Sequence, residues 1–401
     1  MLNVSPEDRE LIETFIFSVR VSETIVNALE DQNGMSDVFT GMREQMGRAD
    51  VRKLVQLLRG LTLKTWSDKF KSPLLRALFL DFSAKEYEIY WLILSYAMFT
   101  SGNADVPIGG SKALIDRMVE RYLSLGGRLE TGKEVTGIEL RKNPRETLML
   151  PPNTASKILF SDGTEAEADY YISTLEPQFV FSKLLPAEYA PMGFTRLKDA
   201  EKSPVYSSFQ VAFSVEDELR DLDTLYVPCD AMAVGTQIVD RLQIKNYRAY
   251  GENVAPKGET VIQSSFIQYP ADYDFWMTLR EKNLAEYRAQ KLYTANRIQE
   301  RIEKRFPELK GKIHFLDAWT PATYGRHLNS YKGMYMRYIT TIMSPAAFLP
   351  NEVRSVDNVF LAGHVLHYPG GTPTAVSTGK SAVDRIVNQE KTIRERLLEL
   401  A

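Results

Sequence analysis

Residues 362–386 read AGHVLHYPGGTPTAVSTGKSAVDRI, directly after the apolar triplet Val359-Phe360-Leu361. The segment carries Gly379-Lys380-Ser381, the closing residues of a phosphate-binding loop, but the first glycine of such a loop is replaced by Thr374. The glycine pair lies further upstream, at Gly370-Gly371, which puts Lys380 inside a helix, unable to reach back over a phosphate. What remains is a short buried strand, a turn around Pro369-Gly370-Gly371, and a helix beginning near Pro373-Thr374. Proline suits a first helical turn, and the glycines let a ligand approach the backbone closely. The helix N-terminus offers N–H groups and partial positive charge to an electron-rich group. An ordinary strand–turn–helix connection meets the same spacing.

The 401 residues are too many for one ordinary core and suggest two or more lobes. A net charge of −3 argues against nucleic acid as a partner. Cys229 is the single cysteine, which excludes an intrachain disulfide and a thiolate metal cage and suits a reducing, cytoplasmic setting. The opening MLNVSPEDRE has no basic flank and apolar stretch of the kind a signal peptide needs. The longest apolar run, IYWLILSYAMFT at 89–100, is too short to span a bilayer.

Residues 1–100 read as helices, the first opened by Ser5-Pro6-Glu7-Asp8 with Ser5 as cap. A helix is expected over 111–125, with Leu114, Ile115, Met118, Val119 and Tyr122 on its apolar face. Strands are expected at 128–130, 134–140, 157–160, 165–168 and 168–173, with Ser161-Asp162-Gly163 as a hairpin turn. A helix follows at 175–185. Four more strands are expected at 205–215, 223–227, 260–268 and 312–318, and one long helix over 275–306.

Side chains that could carry chemistry are few. His364 and His367 sit three apart, but no carboxylate or third histidine joins them locally, so no metal site is assigned. His367 suits either proton transfer or a polar turn position. There is no G-x-S-x-G elbow and no H-E-x-x-H, which removes serine hydrolases and zinc proteases. Between 43 and 76, nine basic residues, from Arg43 to Arg76, face Glu44, Asp50 and Asp68, interleaved with leucines, Trp66 and Phe70. That pattern suits either a solvated helix face or peripheral docking on an anionic membrane.

The 362–379 stretch resembles the C-terminal signature of the FAD-dependent phytoene desaturase-like oxidoreductases, a branch of the flavin amine oxidase superfamily. Members often read AGxxxxPGGGxPTAxxSG, and AGHVLHYPGGTPTAVSTG follows that pattern without a gap. Pro107–114 (PIGGSKAL), GGRLETGKEVTGIEL at 126–140, ADYYISTLEP at 168–177 and TPATY at 320–324 resemble further family segments in the family's order. The resemblance implies that Val135 contacts the adenosine half of FAD, and that Gly363 and His364 lie near its pyrophosphate or ribityl chain. It implies that Gly370, Gly371, Pro373, Thr374 and Ala375 border the isoalloxazine, with His367 and Tyr368 as candidate catalytic residues. Two departures stand out. His367-Tyr368-Pro369 replaces part of a longer glycine turn, and none of the 23 glycines forms the G-x-G-x-x-G fingerprint that opens family members. The first residues instead resemble the helical region that follows that fingerprint, as if the chain begins one βαβ unit late.

The fold expected is α/β: an incomplete Rossmann-like FAD-binding domain from 105–185 and 351–401, a mixed-sheet substrate domain from 186–350, and a helical cap from 1–104. The activity the resemblance implies is hydride exchange between FAD and an apolar isoprenoid or polyene substrate. A redox-neutral isomerase of the same superfamily, and a non-catalytic fragment with weak or no FAD binding, remain open.

Overall fold

The computed structural model describes residues 1–30, 44–104, 107–144, 150–191, 193–197, 204–251, 254–339, 344, 347–368 and 370–400. Arg43, Pro369 and the expected boundary at 105 lie outside the described residues. Helices α1 (Arg9–Glu30), α2 (Ala49–Leu58), α3 (Leu63–Ser67), α4 (Pro73–Leu80) and α5 (Ile89–Thr100) build the first region. They enclose a core in which Phe15, Trp66, Phe70 and Phe79 meet mostly edge to face. Ser5 is not the side-chain cap that the sequence suggests. Its hydroxyl donates to Asp8 (2.7 Å), which in turn accepts from the amides of Lys71 and Ser72 and so ties the chain start to α4.

Helix α6 (Gly110–Ser124) forms where expected, but none of its residues is buried. Ile115 and Met118, on its apolar face, are 53% and 52% exposed. The expected strand at 128–130 does not form. Strands β1 (Val135–Lys142), β2 (Asn153–Phe160) and β3 (Glu165–Ala166) make an antiparallel sheet, with Gly163 at positive φ (80°) in the turn. β4 (Tyr171–Ser173) is shorter than expected. The helix expected over 175–185 is a turn of α-helix, Pro177–Phe179, running into a π-helix, Val180–Leu184.

The largest sheet has five strands: β5 (Ser207–Val215), β6 (Leu225–Val234), β7 (Gln237–Asn246), β8 (Thr260–Gln268) and β9 (Ile313–Trp319). Their order is β6-β7-β8-β5-β9 and every pairing is antiparallel, so this sheet is not mixed as the sequence reading had it. β6 and β7 form a tight hairpin, and hairpins need no parallel crossover. One face packs against α7 (Pro270–Lys282), α8 (Leu284–Arg305) and α9 (Pro321–Leu328) around Phe209, Phe213, Trp276 and Ile298. The long helix expected over 275–306 is broken at Asn283, which is extended (φ −155°, ψ 98°) and caps the amides of Ala285 and Glu286. Such a cap contributes about 1 kcal/mol to the new helix start.

β10 (Val359–Leu361) pairs in parallel with β4, Phe360 opposite Ile172, and α10 (Gly371–Leu400) follows it. The helix thus starts two residues before Pro373. Helices plus parallel and antiparallel sheets give the α/β architecture expected. A bidentate Arg241–Asp81 pair (Nε–Oδ1 2.8 Å) joins β7 to the residue after α4.

Candidate functional site

The site is built from the end of β10. All three of its residues are buried, and the amide of Ala362 continues the parallel pairing by donating to Ser173 (2.9 Å). Gly363 then turns at φ 123°. Its amide donates to the Thr378 hydroxyl (2.9 Å), and that hydroxyl lies 3.2 Å from the Gly363 carbonyl. Thr378 stands two turns into α10, so the turn is stitched to its own helix. Asn351 adds a second stitch, donating to the carbonyls of Leu361 (2.7 Å) and Thr378 (3.1 Å) while accepting from Ser381.

Gly370 and Gly371 have φ of 93° and 85°, a region that side chains strain to enter. At Gly371 an added Cβ would meet only Pro373 Cδ at 3.9 Å, which leaves room beside the helix N-terminus. At Gly370 it would touch Arg337 Cγ and the His364 carbonyl, both at 3.4 Å. Thr374 bonds back to the Gly370 carbonyl (2.9 Å). The amides of Gly371, Thr372 and Thr374 belong to the first helical turn and have no carbonyl four residues earlier within the helix.

Arg337 lies under this turn, 1% exposed, with Nε donating to the Val365 carbonyl (3.2 Å). Burial draws its pKa down to about 10, which still leaves it cationic at neutral pH. A buried guanidinium and a helix N-terminus therefore make the turn electropositive. Tyr368 is buried, and its hydroxyl makes no hydrogen bond among the described residues. Burial first, then Glu88 and Tyr90, push that phenol upward, so it is a neutral group awaiting a partner. Glu88 and Tyr90 bring the start of α5 to the turn, which places an apolar helix beside it.

The two histidines face inward. His367 donates through Nε2 to the Leu349 carbonyl (3.1 Å) and packs on Phe348. His364 engages the Met336 main chain. Burial, and secondarily Arg337, holds both below the usual histidine value and so neutral. Gly363, His364, His367, Tyr368, Gly370, Gly371, Pro373, Thr374 and Ala375 thus share one turn and one helix start, whereas Val135 begins β1 in the separate three-stranded sheet. The sequence reading missed Arg337, Asn351 and Thr378. Arg337 had a signal, a lone charge inside the apolar run Met334–339, and the other two had none.

These features can be tested against a flavin. An orphaned buried phenol, space at Gly371 and a positive helix end fit the electron-rich edge of its ring. No residue is assigned to the pyrophosphate, because the sequence has no glycine fingerprint and the Gly363 amide is already bonded to Thr378.

A parallel strand pair thus feeds a glycine turn and a long helix, beside an antiparallel five-stranded sheet. Residues 6–387 match the flavin containing amine oxidoreductases, and the chain belongs to that family. Its family cofactor is accordingly a flavin, FAD as the sequence reading expects. The chain is 22% identical over 312 residues to a lycopene-forming phytoene desaturase of Pseudescherichia vulneris, covering 75% of this chain and 59% of that protein. It is 25% identical over 292 residues to a chloroplastic prolycopene isomerase of Arabidopsis thaliana, covering 69% of this chain and 44% of that protein. The chain therefore spans roughly half the length of these relatives. Among solved structures it is similar to an oxidoreductase from Methanosarcina mazei (15% identity, 85% of this chain and 72% of that one, TM-score 0.49). It is also similar to a redesigned putrescine oxidase (13%, 95% and 76%, TM-score 0.48).

Proposed function

We propose that the chain works in a flavin-dependent oxidoreductase acting on an apolar isoprenoid or polyene substrate. The observation that carries this is the turn from β10 into α10: open at Gly371, electropositive, and bordered by Tyr368 and the start of α5. When bound, FAD supplies the two-electron chemistry, exchanging a hydride at N5. Gly370, Gly371, Pro373, Thr374 and Ala375 would border the ring, where the helix end and Arg337 would favour negative charge. Tyr368 offers its hydroxyl to the cofactor or substrate, with His367 holding the turn through Leu349. α5 excludes water with Ile89, Leu92, Ile93 and Ala97 packed inward and Tyr90 and Trp91 half-buried.

In this reading 105–185 and 351–401 are the FAD-binding part, 186–350 the substrate lobe and 1–104 its cap. Substrate of this kind partitions into lipid, and α4 presents Leu74 and Leu78, 61% and 42% exposed, between Lys69, Lys71 and Arg76. That face suits peripheral contact with an anionic membrane. Among the described residues no helix is long and apolar enough to cross one.

The test is to mix the purified chain with FAD, remove the excess and record the visible spectrum. Flavin retained, and bleached on anaerobic addition of a polyene, supports a desaturase-type oxidoreductase. Flavin retained with product of unchanged mass supports the isomerase reading, which the similarity to a prolycopene isomerase favours. No retained flavin counts against the proposal.

A further inference from the structure

A second hollow lies away from the glycine turn, where α7, α8 and α9 meet the β9 edge of the large sheet. We propose that it binds a phosphate group. Its volume is about 280 Å³, room for a headgroup but below the usual range for drug-sized ligands, let alone a polyene. Four fixed cations line it: Arg280 from the last turn of α7, Arg288 and Lys291 from α8, and Arg326 from α9. Only one lining carboxylate opposes them. That is Asp317 of β9, whose Oδ1 stands 3.6 Å from Lys291 Nζ. Among the described residues, Arg280 and Arg288 line the hollow with no carboxylate in its wall other than Asp317, which pairs with Lys291. This local excess runs against the net charge of −3 for the whole chain, so it is not a by-product of composition.

The walls are built rather than loose. The Tyr287 hydroxyl is within 2.9 Å of Thr320 Oγ1 and 3.2 Å of Thr323 Oγ1, which fixes the floor. Thr320 and Thr323 also cap α9 reciprocally, which fixes the start of that helix beside the hollow. Trp319 stacks on His327 at 5.7 Å, and the Arg326 guanidinium lies 3.1 Å from His327 Nε2. Arg288 and Lys291, three residues apart, project from one side of α8. Guanidinium groups arriving from three helices match the several oxygens of a phosphate better than the two of a carboxylate. The phosphate could belong to a soluble ester or to a lipid headgroup.

The full chain is titrated calorimetrically with inorganic diphosphate, and separately sedimented with phosphatidylcholine vesicles with and without phosphatidic acid. Arg280→Gln and Arg288→Gln are compared with Lys112→Gln, a control on α6 whose lysine pairs with Asp116. Each arginine variant should weaken binding about tenfold while the control and all melting temperatures stay unchanged. Saturable diphosphate binding points to a soluble ester. Binding only to phosphatidic acid vesicles points to a lipid. No saturable binding of either, or equal weakening by Lys112→Gln, overturns the proposal.

Discussion

Tyr368 and Glu176 show how single buried polar groups set the properties of this fold. An unbonded buried hydroxyl costs on the order of 1–3 kcal/mol. In the flavin-free chain Tyr368→Phe should therefore leave the melting temperature unchanged or raise it slightly. With flavin bound, the same variant should shift the visible spectrum and weaken retention. A spectrum identical to that of the parent would remove Tyr368 from the site. Glu176 differs in being fully engaged: it accepts from Tyr338 (3.0 Å) and from the amide of Phe179. Burial nevertheless pushes its pKa up to about 7. Between the unfolded value near 4.5 and this value the folded chain binds the extra proton, so stability falls as pH rises through that window. The full effect is on the order of 3 kcal/mol. Glu176→Gln cannot ionise, and its melting temperature should lose this decline between pH 5 and 8. A parallel decline in both proteins would show that other groups cause it.

At the scale of elements, the β6–β7 hairpin is the point where sequence and structure part most clearly. β7 was not legible in QIVDRLQIKN because Ile238 lies on the exposed side while Asp240 and Arg241 interrupt the apolar pattern. What fixes the hairpin is long-range. Gln268 donates to the Val234 carbonyl, and Asp272, on α7, accepts from the Thr236 amide (2.6 Å) and hydroxyl. A Cβ on Gly235 would sit 2.5 Å from Gln268 and 2.6 Å from Asp272, at a φ of 62°. Gly235→Ala should lower stability by about 3 kcal/mol, read from denaturant unfolding. A change below about 1 kcal/mol would mean the network gives way easily. By contrast, β8 falls on the residues expected of it, and α5 coincides with the longest apolar run. The break at Asn283 was not, since asparagine interrupts helices only when its cap geometry is adopted. The glycine turn was read from its local chemistry. Arg337 stands out in sequence as a lone charge in an apolar run, but its place beneath the turn does not, because its bond to the Val365 carbonyl spans 28 residues of chain.

Across the whole molecule, order should follow sheet size. β5 is paired on both sides within five strands, whereas β4 and β10 form a two-stranded parallel pair whose order rests on packing around Val359 and Leu361 and on α10. Hydrogen exchange should therefore be slowest in β5 and β8 and markedly faster in β4 and β10. Equal protection would mean that the two regions unfold as one. Binding of flavin should slow β10 selectively, because Gly363 is stitched to α10 through Thr378.

α6 carries a consequence of its own. With none of its residues buried, opening it sacrifices little packing, and Lys112, Arg117 and Arg121 lie along it with Arg128 just beyond. Trypsin at low dose should cut there first, severing the chain between its helical cap and its sheets. Because those regions are held together by the Arg241–Asp81 pair and shared apolar packing, the nicked halves should still migrate as one species.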